Sequence, residues 1–315
     1  MENRLFVVIP CYNEEEVLPE TSRRIAEKMR ALIGAGKIAE NSRVVFVNDG
    51  SKDRTWDIIR GLHERDSLFS GVNLSRNRGH QNALLAGLLT VKDMADMTIS
   101  MDADLQDDID AIDEMVDKYL GGCDVVYGVR SSREKDTFFK RFTAESFYRL
   151  LRGLGGEVVF NHADYRLLSR RALQALSEFG ETNLFLRGII PMLGFKSDIV
   201  TYERGERFAG ESKYPLKKML AFAVEGITSL SAKPMRLILG LGGLMLLVAL
   251  VLLIVSIARG IMGASAALQF LAFSVWAVGG LVLVSLGVVG EYVGKIYIET
   301  KKRPRFIVES FIHED

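Results

Sequence analysis

The sequence predicts a three-layer α/β domain with a predominantly parallel sheet and helices on both faces, followed by a hairpin of two membrane-spanning helices. Three observations carry this expectation. Short, almost wholly apolar runs alternate with helical stretches through about the first 230 residues, the pattern of strands buried on both faces between helices. Polar clusters rich in acid, amide or glycine follow those runs at once, and ligands of open α/β sheets bind at strand carboxyl ends. Two long segments near the C-terminus carry almost no charge, and each has the length needed to cross a bilayer.

Leu5-Phe6-Val7-Val8-Ile9 is the first strand; Pro10 ends it, and Cys11-Tyr12-Asn13-Glu14-Glu15-Glu16 turns into a helix reaching about Ile33. Acidic residues suit a helix N-terminus, so capping and ligand roles compete for them. Val44–Val47 is the second strand, ending in Asn48-Asp49-Gly50-Ser51, with Ser51 or Asp53 able to cap a helix from Arg54. A third strand at Val72–Leu74 leads through Ser75-Arg76-Asn77-Arg78-Gly79-His80 to a helix over Gln81–Thr90. Beyond Met97-Thr98-Ile99 come a helix over Ile109–Leu120 and a strand over Asp124–Val129. That strand delivers Arg130-Ser131-Ser132-Arg133, and Lys140-Arg141 opens a helix to about Arg152.

Asn161-His162-Ala163-Asp164-Tyr165-Arg166 precedes a helix over Ser169–Phe179. His162 and Asp164 are left open between a helix cap, a polar core residue and a catalytic role. Leu184–Leu193 is apolar but too short to span a bilayer; it packs internally or lies on a membrane surface. A basic loop, Arg204–Tyr214, and a helix over Leu216–Leu230 lead to the apolar segments Leu237–Ala258 and Leu268–Gly290. Lys233 and Arg236 precede the first; Lys295, Lys301, Lys302, Arg303 and Arg305 follow the second; Arg259 alone lies between. The positive-inside rule puts both ends in the cytosol, a multi-pass arrangement at the inner (plasma) membrane. The domains expected are 1–232 (catalytic), 233–291 (anchor) and 292–315 (basic tail).

The 315 residues balance 40 basic against 40 acidic side chains, so no global field selects nucleic acid. Cys11 and Cys123 form no disulfide framework and suit a reducing compartment. The N-terminus leads into a run too short for a signal peptide core. His63 and His313 lack supporting context and read as solvated.

The chemistry concentrates in Ser100-Met101-Asp102-Ala103-Asp104-Leu105-Gln106-Asp107-Asp108. Asp102 and Asp104 share one face of a regular strand, with Ala103 opposite. Two hard carboxylates and the Gln106 amide oxygen suit Mg²⁺ or Mn²⁺, with further positions left to a diphosphate. The alternative is an acidic loop capping the next helix, for which Asp107 and Asp108 are placed.

Four segments occur in one order: Val8-Ile9-Pro10-Cys11-Tyr12-Asn13-Glu14-Glu15, Val47-Asn48-Asp49-Gly50-Ser51, Asp102-Ala103-Asp104-Leu105-Gln106-Asp107 and Arg207-Phe208-Ala209-Gly210-Glu211-Ser212-Lys213-Tyr214. Together they resemble family 2 glycosyltransferases of the GT-A fold, and more narrowly the polyprenol-phosphate glycosyltransferases, similar to the dolichol-phosphate mannose synthases and bacterial bactoprenol glucosyltransferases. The match covers roughly residues 4 to 230. The resemblance implies Pro10, Tyr12, Glu14 and Asp49 around the nucleotide base and ribose, with Asp102 and Ala103 also against the nucleotide sugar. It implies Asp102, Asp104 and Gln106 on the metal, and Arg130, Arg141 and Arg207 working with Asp104 around the phosphates of donor or acceptor. Ser212 and Lys213 fall in the loop that closes over the site in this family. Tyr12 as a packed aromatic and Arg141 as a surface helix residue are the plain alternatives. Asn48 departs from the pattern, since many relatives have a second aspartate there.

The partners so implied are a nucleotide-sugar donor, with UDP-glucose or UDP-N-acetylglucosamine foremost, a polyprenyl phosphate acceptor such as undecaprenyl phosphate, and the membrane; a homo-oligomer is left open. A phosphate monoester is largely dianionic at neutral pH and attacks without a general base. The site then has to manage charge, through arginine forks on phosphate and a metal on the departing diphosphate. Direct displacement inverts the anomeric carbon. The rivals are a processive polysaccharide synthase and a catalytically silent nucleotide-sugar-binding adaptor. The first needs Gln-x-x-Arg-Trp, and neither Trp56 nor Trp276 follows an arginine; the intact Asp102/Asp104 pair argues against the second.

Overall fold

The computed structural model describes residues 3–131, 162–181, 186–203, 251, 254 and 267–314. Its first half runs β1 (Leu5–Cys11), α1 (Leu18–Gly34), β2 (Arg43–Asn48), α2 (Thr55–Arg65), β3 (Phe69–Leu74), α3 (His80–Val91), β4 (Met97–Ser100) and α4 (Ala111–Leu120). Then follow β5 (Val125–Arg130), β6 (His162–Ser169), α5 (Arg170–Ser177), α6 (Leu186–Met192), β7 (Ser197–Tyr202), α7 (Ala267–Thr300) and β8 (Val308–Ile312).

Every residue of β1 is buried, because strand alternation sends its side chains into two separate cores. Leu5, Val7 and Ile9 meet Ile25 and Met29 of α1, Ile59 of α2 and Met115 of α4. Phe6 and Val8 meet Leu84 and Leu85 of α3, Leu173 of α5 and Ile189 of α6. This is the expected three-layer arrangement. It also shows that the described part of the apolar segment, Leu186–Met192, packs internally through Leu186, Ile189 and Ile190.

The eight strands lie in the order β7-β5-β6-β4-β1-β2-β3-β8. β4, β1, β2 and β3 are mutually parallel, as are β5 and β7; β6 and β8 run antiparallel to their neighbours. The chain builds outward from β1 to β3, and α3 then carries it back to β4 on the other side of β1. The reversal between β1 and β4 is a topological switch point, where a crevice opens beyond the strand ends. β4 pairs with β1 only as far as Val8 and Ser100. Pro10 therefore lies beyond the end of β4, where its missing N–H breaks no ladder on that side.

Three strands were not expected from sequence. β6 places Asp164 and Arg166 at buried positions, so its hydropathy resembles a loop. β7 is an edge strand whose Ser197, Ile199 and Thr201 are exposed. β8 corrects the reading of residues 292–315 as an appended basic tail: Val308–Ile312 closes the sheet against β3. His313, expected to be solvated, shares a 2.9 Å hydrogen bond with Ser70 Oγ and stacks on Phe311. His63 likewise lies 2.7 Å from the Phe69 carbonyl.

The expected second span lies within α7, which runs on past Gly290 to Thr300. Ala277–Thr300 has mean hydropathy 1.7 and its most apolar stretch is wholly unburied, long and apolar enough to cross a membrane. Of the expected first span only Val251 and Ile254 are described, both exposed. The helices expected at Lys140–Arg152 and Leu216–Leu230 lie outside the described residues.

Candidate active site

The β1–α1 and β2–α2 loops interlock beside the switch point. Asn13 has φ 55°, a left-handed conformation that asparagine tolerates better than most residues. Its N–H donates to Ser51 Oγ at 3.0 Å, and its Oδ1 accepts the Lys52 N–H at 2.9 Å. Glu14 N–H donates to Thr55 Oγ1, and Glu15 N–H to Asp53 Oδ2. Tyr12, 42% exposed, thus stands on a fixed platform as an open aromatic face, not as a packed core residue.

Asp49 is buried, and both its oxygens are engaged: Oδ1 accepts the Arg78 N–H at 2.6 Å and Oδ2 the Gly79 N–H at 2.9 Å. Burial raises its pKa, while the two amide donors pull it back. Its visible work is to tie the loop after β3 to the end of β2, which sets where α3 begins. His80, the first residue of α3, consequently reaches the acidic cluster.

β4 ends at Ser100, so Asp102 and Asp104 lie in a loop and not, as expected, on one face of a strand. The loop turns through Leu105 at φ 58° and is held at three points. The Ala103 carbonyl accepts from Thr21 Oγ1 at 2.7 Å, the Asp108 carbonyl from the Tyr165 hydroxyl at 2.9 Å, and Asp107 Oδ1 from the Tyr202 hydroxyl at 2.5 Å. Asp107 is therefore a buried anchor, not a helix cap; Arg130 Nη2 lies 3.7 Å from the same oxygen. Asp104 Oδ1 accepts the Gln106 N–H at 3.2 Å.

Asp102 is the exposed end of this arrangement, with 37% of its side chain accessible. Its Oδ1 is nonetheless buried and accepts no hydrogen bond; His80 Nε2 lies 3.4 Å away. Burial pushes the Asp102 carboxyl up to about 6, with Asp107, Asp164 and Asp104 adding to the rise and His80 opposing it. Beneath it lies an ion network that the sequence only hinted at. Arg187 of α6 grips Asp164 through Nε (3.2 Å) and Nη2 (3.0 Å), Arg166 pairs with the same carboxylate, and His80 Nε2 lies 3.7 Å from Asp164 Oδ2. Burial opposes the Asp164 charge, but the Arg187 and Arg166 guanidiniums outweigh it and hold the carboxyl far below its usual range. The signal available was the Asp164-x-Arg166 spacing, two like-facing positions on a strand. His80 carried no signal, since contact with Asp102 depends on where Asp49 puts the loop.

By donor type, the Asp102 and Asp104 carboxylates suit a hard divalent ion. Among the described residues no three acidic, histidine or cysteine side chains form a closed cage. The observation behind that fit is the buried Asp102 Oδ1, which accepts no hydrogen bond, with a second carboxylate two residues on. Pro10, Tyr12, Glu14, Asp49, Asp102, Ala103, Asp104, Gln106 and Arg130 thus all lie at the carboxyl ends of β1, β2, β4 and β5. Arg141, Arg207, Ser212 and Lys213 lie outside the described residues.

Residues 6–177 match the family described as Glycosyl transferase family 2. The chain is 49% identical over 312 residues to the uncharacterized glycosyltransferase YkoT of Bacillus subtilis (strain 168), covering 99% of this chain and 93% of that one. It is 38% identical to a prophage bactoprenol glucosyl transferase homolog of Escherichia coli (strain K12), covering 97% and 98%. It is 37% identical to the bactoprenol glucosyl transferase of Shigella phage SfX, covering 98% and 99%. Likeness to a solved glucosyl-3-phosphoglycerate synthase of Mycobacterium tuberculosis is distant, with TM-score 0.47 and 18% identity over 72% of this chain and 78% of that one. The strand order, the loops at the switch point and these relatives together make the chain a glycosyltransferase with a GT-A-like α/β fold, a member of glycosyl transferase family 2.

Proposed function

We propose that this chain transfers a hexose, glucose foremost, from a nucleotide sugar to the phosphate of a polyprenyl lipid such as undecaprenyl phosphate. The observation that carries the reading is a sparse acidic site at the switch point of a chain that also bears α7, an exposed apolar helix of membrane length. The names of the phage and prophage relatives support the acceptor and the sugar.

Tyr12 offers its face to the base, on a platform fixed by Asn13 and Ser51. Asp102, Asp104 and Gln106 hold the divalent ion, Mg²⁺ or Mn²⁺, which when bound stabilises charge on the departing diphosphate. The acceptor phosphate is its own nucleophile, because its second ionisation lies near pH 6. Arg130, held beside Asp107, faces the phosphates, joined in this proposal by Arg141 and Arg207 as planar forks. Ser212 and Lys213 close the loop and exclude water that would hydrolyse the donor. No side chain has to remove a proton from the acceptor, and in-line displacement inverts the sugar.

In this proposal the domains are a cytosolic catalytic unit over 1–232, an anchor over 233–291 with spans at about 237–258 and 268–290, and a cytosolic C-terminal segment over 292–315, whose β8 pairs with β3. The test is incubation of the purified full chain with undecaprenyl phosphate and a panel of labelled nucleotide sugars. Label from UDP-glucose entering the lipid is the expected result. Label from another sugar corrects the donor, and label in no lipid overturns the proposal.

A further inference from the structure

Asn48, at the end of β2, sits inside a directional chain of hydrogen bonds. Ser51 N–H donates to Asn48 Oδ1 at 3.2 Å, Asn48 Nδ2 to Asn73 Oδ1 at 2.7 Å, and Asn73 Nδ2 to Glu309 Oε2 at 2.8 Å. A backbone N–H only donates and a carboxylate only accepts, so both amides between them have a single consistent orientation. The far end is deliberate geometry. Asn73 pairs with Ser310 and Leu74 with Val308, which leaves Glu309 as the extra residue of a bulge, a feature that re-aims a side chain. At the near end, Ser51 Oγ accepts from Asn13, the residue that shapes the loop bearing Tyr12 and Glu14.

We infer that Glu309, Asn73 and Asn48 form a positioning chain through which β8, the strand that follows α7, holds the donor-binding loops. The inference rests on the reading of the Tyr12–Glu14 loop as the donor site. It explains the amide at position 48. Asn48 is only 3% exposed; an aspartate there would set an oxygen against Asn73 Oδ1. If Asn73 turned over to donate, its own oxygen would face the Glu309 carboxylate. Either way two acceptors meet, and a buried polar contact is lost. A glutamine at 309 removes the conflict, because it both accepts and donates.

The test compares full-length variants with UDP-glucose and undecaprenyl phosphate, measuring both KM values and kcat. Asn48→Asp should raise donor KM about fivefold, leaving kcat and the acceptor KM unchanged. Glu309→Gln alone should leave donor KM as it was, while the pair N48D/E309Q should restore it. Glu309→Ala, at an exposed position that folding tolerates, should raise donor KM about two- to fivefold. A merely structural role for Asn48 would not be rescued by a glutamine on another strand. Failure of that rescue, or unchanged donor KM in both Asn48→Asp and Glu309→Ala while Asn13→Ala raises it, overturns the positioning chain alone. If Asn13→Ala also leaves donor KM unchanged, the donor reading falls and the chain with it.

Discussion

Asp102 and Asp164 are both carboxylates near His80, yet their environments drive them apart. Asp102 keeps one oxygen, Oδ1, buried without a hydrogen-bond donor, and burial pushes its carboxyl up to about 6. Metal ligands must be deprotonated, so Mn²⁺ affinity should be flat above pH 6 and fall about tenfold per unit below it. Titration calorimetry across pH 5 to 8 checks this, and Asp102→Asn should abolish both the binding and transfer while leaving the melting curve intact. Asp164, by contrast, is a structural charge. Arg166 is 1% exposed, so Asp164→Ala strands a buried cation and should cost about 3–5 kcal/mol of stability. The sign of its pH dependence follows from its depressed pKa. The unfolded carboxyl takes up a proton near pH 4 while the native one stays ionised far lower, so its contribution is complete above that range and is lost as pH falls. Asp164→Asn should flatten the acid limb of stability, measured by thermal melting between pH 3 and 7.

At the scale of elements, the site is built by close approaches of backbone. Gly50 has φ 63°, and a Cβ there would lie 2.5 Å from the Asn77 nitrogen. Gly50→Ala should therefore separate the β2–α2 turn from the loop that Asp49 holds. A loss of about 1–3 kcal/mol in denaturant unfolding, with a raised donor KM, is expected; an unchanged enzyme would mean that the loops pack independently. The strands β1 to β5 and the four helices of the first half were legible in sequence. Their apolar runs are long because both faces are covered, and no tertiary detail is needed to see that. β6, β7 and β8 were not. Burying Asp164 and Arg166 on β6 is acceptable only because each neutralises the other, and a hydropathy pattern cannot register a partner supplied by Arg187 on another element.

At the scale of the molecule, β8 ties the segment that follows the long apolar helix α7 to the β3 edge of the sheet. The proposed topology exposes only the connection between the two spans. A cysteine introduced at Gly263, in a background lacking Cys11 and Cys123, should react with an impermeant thiol reagent on intact cells. One introduced at Ser310 should not, since β8 pairs with β3 of the domain proposed to be cytosolic. Labelling at Ser310 would reverse the orientation.

The layered α/β domain and an acidic cluster just past the β4 strand were readable from the chain alone, because periodicity and local composition are properties of neighbouring residues. The sequence also carried the family, through four motifs in order. Only the tertiary structure decided that Asp107 anchors the acidic loop, that Asp49 spends both oxygens on the backbone of another loop, and that His80 meets Asp102. Each of these depends on pairings between residues tens of positions apart. The C-terminal strand is the extreme case: Glu309 meets Asn73 across 236 positions, a contact fixed by strand register and a bulge, and register is set by the assembled sheet.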